Sequence, residues 1–212
     1  RKCRKADEIM RAVIIGNGSI EDHEYIRSLI HEDDTVICAD GGLRHAAAMG
    51  LRADVAIGDF DSSDKDDCVK TYEFPVRKDY TDGELAVDYA IEHGFDSILL
   101  LGMTGSRVDH MLTNIFLLFK ADNITMADEH NELYAVRGGG RLVLSGKRGK
   151  TLSIIPAGGD LCGIVTEGLE YPLHGETLFF GHSRGNSNVI IDDMCSISAE
   201  RGMAVVAVNG GE

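Results

Sequence analysis

Two aspartates one residue apart, Asp59 and Asp61, stand in the segment Gly58-Asp59-Phe60-Asp61-Ser62, directly after a short apolar run. In extended backbone the side chains at i and i+2 point the same way, so the two carboxylates can share a hard cation. Spacing alone is weak support, because Asp64-Lys65-Asp66 repeats it a few residues on and an acidic chain carries such pairs in solvated loops. Position favours the first pair: Gly58 permits close backbone approach and Ser62 can brace the turn.

Three further polar clusters follow apolar runs in the same manner. They are Asp40-Gly41-Gly42, Lys78-Asp79-Tyr80-Thr81-Asp82, and the stretch 102–110 that contains Thr104-Gly105-Ser106-Arg107 and Asp109-His110. Asp82 reads either as an acidic residue favoured in a helix's first turn or as a third metal carboxylate, with Lys78 a candidate phosphate contact. The 102–107 segment offers glycines, hydroxyls and backbone N–H groups just ahead of a helix, and Arg107 adds a cationic fork suited to phosphate oxygens. A plain glycine turn with a surface arginine is the alternative there, and Asp109 and His110 could equally cap the helix.

What must position these groups is a parallel sheet. β-branched runs at 12–15, 35–39, 55–57, 72–76 and 97–101 alternate with helical patterns at 21–31, 43–49, 82–93 and 109–120, the signature of βαβ units. Each polar cluster then falls at the carboxyl end of a strand, where open α/β sheets bind ligands. Thr81 and Glu84 predict the cap of the third helix, with Leu85, Ala86, Tyr89 and Ala90 as its apolar stripe. Phe116 and Phe119 read as core, and His23, His31, His45 and His93 as surface or helix-end residues.

After about residue 123 the texture changes. Glycines punctuate short runs at 152–155, 178–180, 189–191 and 204–208, as in an antiparallel sandwich or barrel. The expected organisation is a Rossmann-like, mainly parallel α/β domain over 10–125 and an all-β sandwich domain over 126–210. No internal repeat or low-complexity segment interrupts it.

Composition narrows the partners. The 212 residues carry a formal net charge of -14, from 35 acidic residues against 21 Lys plus Arg, so the mean field repels nucleic acid and anionic membranes. A nucleotide can still bind when divalent metal stands between carboxylates and phosphates. Five cysteines, none at C-x-x-C spacing, argue for reduced thiols, a cytoplasmic address and no structural zinc. The basic start at 1–5 reads as an extension ahead of Met10, a candidate native start, and the apolar run after it is too short for a signal or membrane segment. Gly16-Asn17-Gly18 follows a strand but lacks the third glycine of the dinucleotide fingerprint, and no G-x-x-x-x-G-K-[ST] is present.

Taken together, Asp40-Gly41-Gly42, Gly58 through Ser62, Lys78-Asp79 with Thr81-Asp82, and Gly105 through His110 with Asn114 resemble the thiamine pyrophosphokinase family in order and spacing. A fifth block, His182-Ser183-Arg184-Gly185-Asn186-Ser187-Asn188, resembles that family's thiamine-binding segment. The likeness spans residues 12–208. It implies that Asp59, Asp61 and Asp82 hold magnesium, and that Asp40, Gly41, Gly42, Lys78, Thr104, Gly105, Arg107 and Asp109 form the nucleotide pocket. Ser183, Ser187 and Asn188 would meet thiamine, and Asp59, Asp61, Asp82 and Arg107 would carry catalysis. It further implies transfer of the pyrophosphoryl group of ATP to thiamine, by a homodimer with active sites between subunits. Gly83 and Ser106 depart from the family's pattern and put loop geometry in question. The rival readings are another magnesium-dependent nucleotide-using enzyme, such as a nucleotidyl- or glycosyltransferase, and a non-catalytic nucleotide or vitamin sensor.

Overall fold

A computed structural model describes residues 9–58, 70–73 and 79–210. The chain divides into two compact units, Arg1–Glu129 and His130–Glu212.

In the first unit the described strands are β1 (Arg11–Ile15), β2 (Thr35–Ala39), β3 (Val55–Gly58), β4 (Lys70–Glu73), β5 (Ser97–Leu101) and β6 (Ile124–Ala127). All run parallel, in the order β6-β5-β1-β2-β3-β4. The near-continuous apolar composition of β1, β2, β3 and β5 is what a sheet covered on both faces requires. Val13, Ile15, Val36, Cys38 and Leu101 point to one face, against Ile26 of α1 (His23–Ser28) and Ala46 of α2 (Gly42–Ala48). The alternate residues Ile14, Ile37 and Leu100 are buried on the other face, where α3 (Asp82–Glu92) packs with Ala86, Val87 and Ala90. The chain steps from β1 outward to β2, β3 and β4, then returns to place β5 on the other side of β1. That reversal opens a crevice between the carboxyl ends of β1 and β5.

The expected cap of α3 is present: Thr81 Oγ1 accepts from the Glu84 N–H at 3.2 Å. Glu84 does not reach back to complete the box, because its carboxylate is drawn to Lys120 Nζ at 2.8 Å. The expected helix over 109–120 is shorter, α4 (Val108–Phe116) followed by a 3-10 turn Leu117–Phe119. Phe116, expected in the core, is 54% exposed; Leu117 and Leu118 are buried in its stead because the tighter turn rotates them inward. The fourth strand begins earlier than expected, and 74–76 lie outside the described residues.

The second unit is an all-antiparallel β-sandwich. Its strands are β7 (Asn131–Arg137), β8 (Arg141–Ser145), β9 (Thr151–Pro156), β10 (Leu161–Glu167), β11 (His174–Leu178), β12 (Asn188–Val189), β13 (Met194–Ser198) and β14 (Met203–Asn209). Within this unit one sheet has the order β12-β9-β14-β7 and the other β11-β10-β13-β8. Leu152, Ile154, Val206 and Val208 from the first meet Leu144, Leu161, Ile164 and Ile197 from the second in one core. The apolar run at 178–180 leaves the sheet after Leu178, so Phe179 and Phe180 are exposed.

Candidate active site

A cavity of about 600 Å³ opens at the carboxyl edge of the parallel sheet, over the β1–β5 crevice. Asp40, Asp82, Thr104, Gly105 and Arg107, each singled out by sequence, line it together. Asp59, Asp61 and Lys78 lie outside the described residues.

Asp40 ends β2 in left-handed backbone, φ 48°, a conformation that aspartate tolerates better than most residues. Its N–H donates to Ile57 O at 2.9 Å. Its carboxylate accepts from Asn17 Nδ2 at 3.1 Å, and Asn17 Oδ1 accepts from Arg44 at 2.8 Å. Gly41 and Gly42, expected at the nucleotide, stay off the cavity wall. Their smallness serves packing: a Cβ on Gly42 would lie 2.0 Å from Ile15 O, and one on Gly41 2.1 Å from Asn17 Oδ1.

Asp82 is the first residue of α3, where the helix's positive end favours a carboxylate. A Cβ built on Gly58 would lie 3.2 Å from Asp40 Cα and 3.5 Å from Asp82 Oδ1. Asp40, Asp82 and the residue preceding Asp59 therefore meet at one point. Gly83, which departs from the family pattern, has only ordinary contacts at its Cβ position, 3.5 Å or more from Asn114 and Met103, so a side chain there would fit.

Arg107 forks onto Asp109, Nη2 to Oδ2 at 2.6 Å and Nε to Oδ1 at 3.2 Å, with 69% and 65% of the two side chains exposed. The hydrogen bond from Arg107 pulls the Asp109 carboxyl down to about 2. Asp109 is not on the cavity wall; it aims the guanidinium that is. Thr104 Oγ1 donates to Asp128 at 3.3 Å, and Asn114 Nδ2 donates to Met103 O at 2.9 Å, fixing the loop between β5 and α4.

The loop after β1 lacks the third glycine of the dinucleotide fingerprint, yet Gly16, Asn17, Gly18 and Ser19 line the cavity. Gly16 N–H donates to Leu101 O at 2.8 Å, Gly18 N–H to Gly102 O at 2.7 Å and Ser19 N–H to Thr104 O at 2.8 Å. A Cβ on Gly18 would fall 2.0 Å from Thr104 O. The paired glycines at a strand end were the available signal, and they serve loop-to-loop contact instead of a dinucleotide turn. Tyr80, His110, Met111 and Asn114 also face the cavity.

In the second unit, Ser183 and Ser187 sit in an exposed turn before β12. Ser187 is left-handed, φ 59°, and its N–H donates to Ser153 Oγ at 3.1 Å. Asn188 Oδ1 accepts from Tyr171 N–H at 3.1 Å while its Nδ2 donates to Tyr171 O at 2.7 Å, so this side chain clasps a neighbouring loop that displays the exposed ring of Tyr171.

Among the described residues, the geometric candidate for a metal triad is His31, Asp33 and Asp34. Asp34 there is held by Arg11 at 2.6 Å, which makes it an ion pair on the far side of β2 from the cavity edge. Oxygen donors of the Asp40 and Asp82 type are those that magnesium prefers.

Two family models match in tandem: the thiamin pyrophosphokinase catalytic domain over residues 26–127 and the thiamin pyrophosphokinase vitamin B1 binding domain over 141–204. The chain belongs to the thiamin pyrophosphokinase family. A curated relative, the thiamine pyrophosphokinase of Bacillus subtilis (strain 168), is 29% identical over 162 residues, covering 71% of this chain and 76% of the relative. The crystal structure of a Bacillus subtilis thiamine pyrophosphokinase superposes with a TM-score of 0.84 at 25% identity, covering 95% of this chain and 100% of that one. That from Geobacillus thermodenitrificans gives 0.83 at 27% identity, covering 96% and 99%. Yeast thiamin pyrophosphokinase, at 15% identity and a TM-score of 0.74 over 96% and 87%, shares the fold. The catalytic-domain match contains Asp40, Asp82, Thr104 and Arg107; the vitamin-binding match contains Ser183, Ser187 and Asn188.

Among the described residues the cysteines Cys38, Cys162 and Cys195 are free, and no helix is long and apolar enough to cross a membrane.

Proposed function

We propose that this chain is a thiamine diphosphokinase, transferring the pyrophosphoryl group of ATP to the hydroxyl of thiamine to give thiamine diphosphate and AMP. The observation that carries the reading is the tandem match of catalytic and vitamin-binding family models, one on each compact unit. The cavity supports it, since Asp40, Asp82 and Arg107 line it together in a chain too acidic to hold a triphosphate by mean field.

In the reaction the thiamine oxygen attacks the β-phosphorus, the bond from that phosphorus to the bridging α–β oxygen breaks, and AMP leaves while the hydroxyl proton passes to solvent. Such a transfer depends on alignment and charge neutralisation more than on covalent help. Asp59, Asp61 and Asp82 would hold magnesium, which supplies positive charge to the phosphate oxygens. Arg107, aimed by Asp109, steadies the charge that develops on the transferred group. The backbone N–H groups of 104–107 fit the phosphates, and Asp40 with Asn17 closes the nucleotide side. Ser183, Ser187 and Asn188 meet thiamine. A homodimer in the cytoplasm, with no nucleic acid or membrane partner, completes the reading.

Mass-spectrometric identification of products from thiamine, ATP and magnesium tests it, run beside Asp61→Asn. Thiamine diphosphate and AMP in equal amounts, lost in the variant, are expected. Release of inorganic pyrophosphate, or tight binding without turnover, would overturn the reading in favour of a nucleotidyltransferase or a sensor.

A further inference from the structure

The peptide joining Gly18 to Ser19 is gripped at both of its polar ends. Its N–H, on Ser19, donates to Thr104 O at 2.8 Å. Its carbonyl, on Gly18, faces His45 Nε2 at 2.8 Å, and His45 Nδ1 lies 3.1 Å from His23 Nε2. A carbonyl oxygen only accepts, so His45 Nε2 carries a proton, and the contact between His45 Nδ1 and His23 Nε2 places one shared N–H between the two rings. The contacts therefore form one line, from His23 on α1 through His45 on α2 to the cavity loop. The two rings are tilted by 36° with centroids 5.3 Å apart, and both are half-buried.

Glycine cannot orient its own peptide by side-chain packing, and it is the residue with the widest backbone freedom. At position 18 no other residue fits, because the Cβ position is filled by Thr104 O at 2.0 Å and Gly102 O at 2.5 Å. The orientation must be imposed from outside. Because the peptide is planar, a hydrogen bond at each edge locks its rotation: α2 holds one edge and the loop after β5 holds the other. That second loop carries Thr104 and Arg107.

We infer that His45 is a positioning residue for the nucleotide edge of the cavity, with His23 bracing its ring. His45 is not on the cavity wall. It acts through Gly18, keeping the 16–19 loop in register with the 102–107 loop so that Thr104, Gly105 and Arg107 present one surface to the triphosphate. The inference rests on the reading of this cavity as the ATP site.

The test measures ATP affinity by calorimetry in saturating magnesium, together with KM for ATP and for thiamine, in His45→Ala, His45→Gln, His45→Asn and His23→Ala. A glutamine amide nitrogen reaches the place of Nε2, whereas an asparagine amide reaches only that of Nδ1. His45→Ala should weaken ATP binding and raise its KM about 3- to 10-fold, the worth of one hydrogen bond, with KM for thiamine within about twofold. His45→Gln should restore ATP binding and His45→Asn should not. His23→Ala should have a smaller effect that disappears in the His45→Gln background.

Unchanged ATP affinity in His45→Ala overturns the inference, and so does a glutamine variant as impaired as the alanine one, since either result makes the ring a packing element only. Should His45→Ala fail to fold, the glutamine and asparagine pair decides by the same criterion. If the wild-type protein binds ATP but makes no thiamine diphosphate, the functional reading fails while the affinity series still tests the positioning role. If it binds no ATP, both fall.

Discussion

Asp82 Oδ1 lies 3.5 Å from the point where Gly58 would carry a Cβ, and Asp40 Cα lies 3.2 Å from that same point. The end of β3, the turn after β2 and the first residue of α3 thus converge at Gly58, the residue that precedes Asp59 in sequence. A methyl group on Gly58 presses on the backbone of Asp40, which cannot yield as a flexible side chain would. Gly58→Ala should lower kcat by about tenfold or more through displacement of this carboxylate cluster, and Asp82→Asn by about 10²- to 10³-fold. Magnesium titrations of activity check both: each variant should need more metal for half-maximal rate, whereas normal metal dependence would detach Asp82 from the metal.

Asp109 makes a second prediction, one concerning pH. Its carboxyl is held down from 3.8 to about 2 by the hydrogen bond from Arg107. A depressed carboxylate contributes fully above its unfolded value and loses that contribution only as pH falls through the folded value. The Arg107 fork should therefore stay intact above about pH 4 and open between about 4 and 2. Any fall in rate between pH 5 and 8 must come from another group, so Asp109→Asn should leave that part of the profile unmoved. Because the pair is exposed, its effect on ATP KM should be modest, about threefold. Steady-state kinetics across pH read both outcomes.

Thr81 caps the helix that starts with Asp82. Thr81→Ala should cost about 0.5–2 kcal/mol of stability, and Thr81→Ser should recover most of it. Thermal melts measure the loss. Since the cap and the carboxylate share one helix turn, a rise in the magnesium requirement should accompany it.

The thiols offer a check independent of activity. Burial pushes the Cys38 thiol up to about 12 and that of Cys195 upward as well, so neither forms thiolate at neutral pH. Of the three described cysteines, a thiol reagent should label the half-buried Cys162 first in the native protein, and Cys38 and Cys195 only after unfolding. Peptide mapping by mass spectrometry reads the order.

Much of the architecture could be read along the chain because it follows from local rules. Alternating apolar runs and helical patterns announce βαβ units, Thr81 followed by Glu84 announces a helix start, and glycine-punctuated strands after residue 123 announce the antiparallel unit. Asp40, Asp82, Thr104, Gly105 and Arg107 stood out since polar residues that follow buried strands must gather at one edge of a parallel sheet. Other features depended on neighbours distant in sequence. Phe116 fits an apolar helical spacing, yet the 3-10 turn after α4 sends Leu117 and Leu118 inward in its place. Gly41 and Gly42, which the resemblance assigns to the nucleotide pocket, pack closely against Ile15 and Asn17.

Residue types and their order, then, determined the strand-and-helix alternation, the two units and which polar groups could face one another, because periodicity and turn chemistry act over a few residues. Only the tertiary structure decided that the Gly16–Ser19 loop forms a cavity wall, that Asp109 aims Arg107 and that His23 and His45 join in a line ending on Gly18. Hydrogen bonds of that kind link α1, α2 and the ends of β1 and β5, and their partners are chosen by strand order and the angle of each helix on the sheet, which no short window of sequence contains.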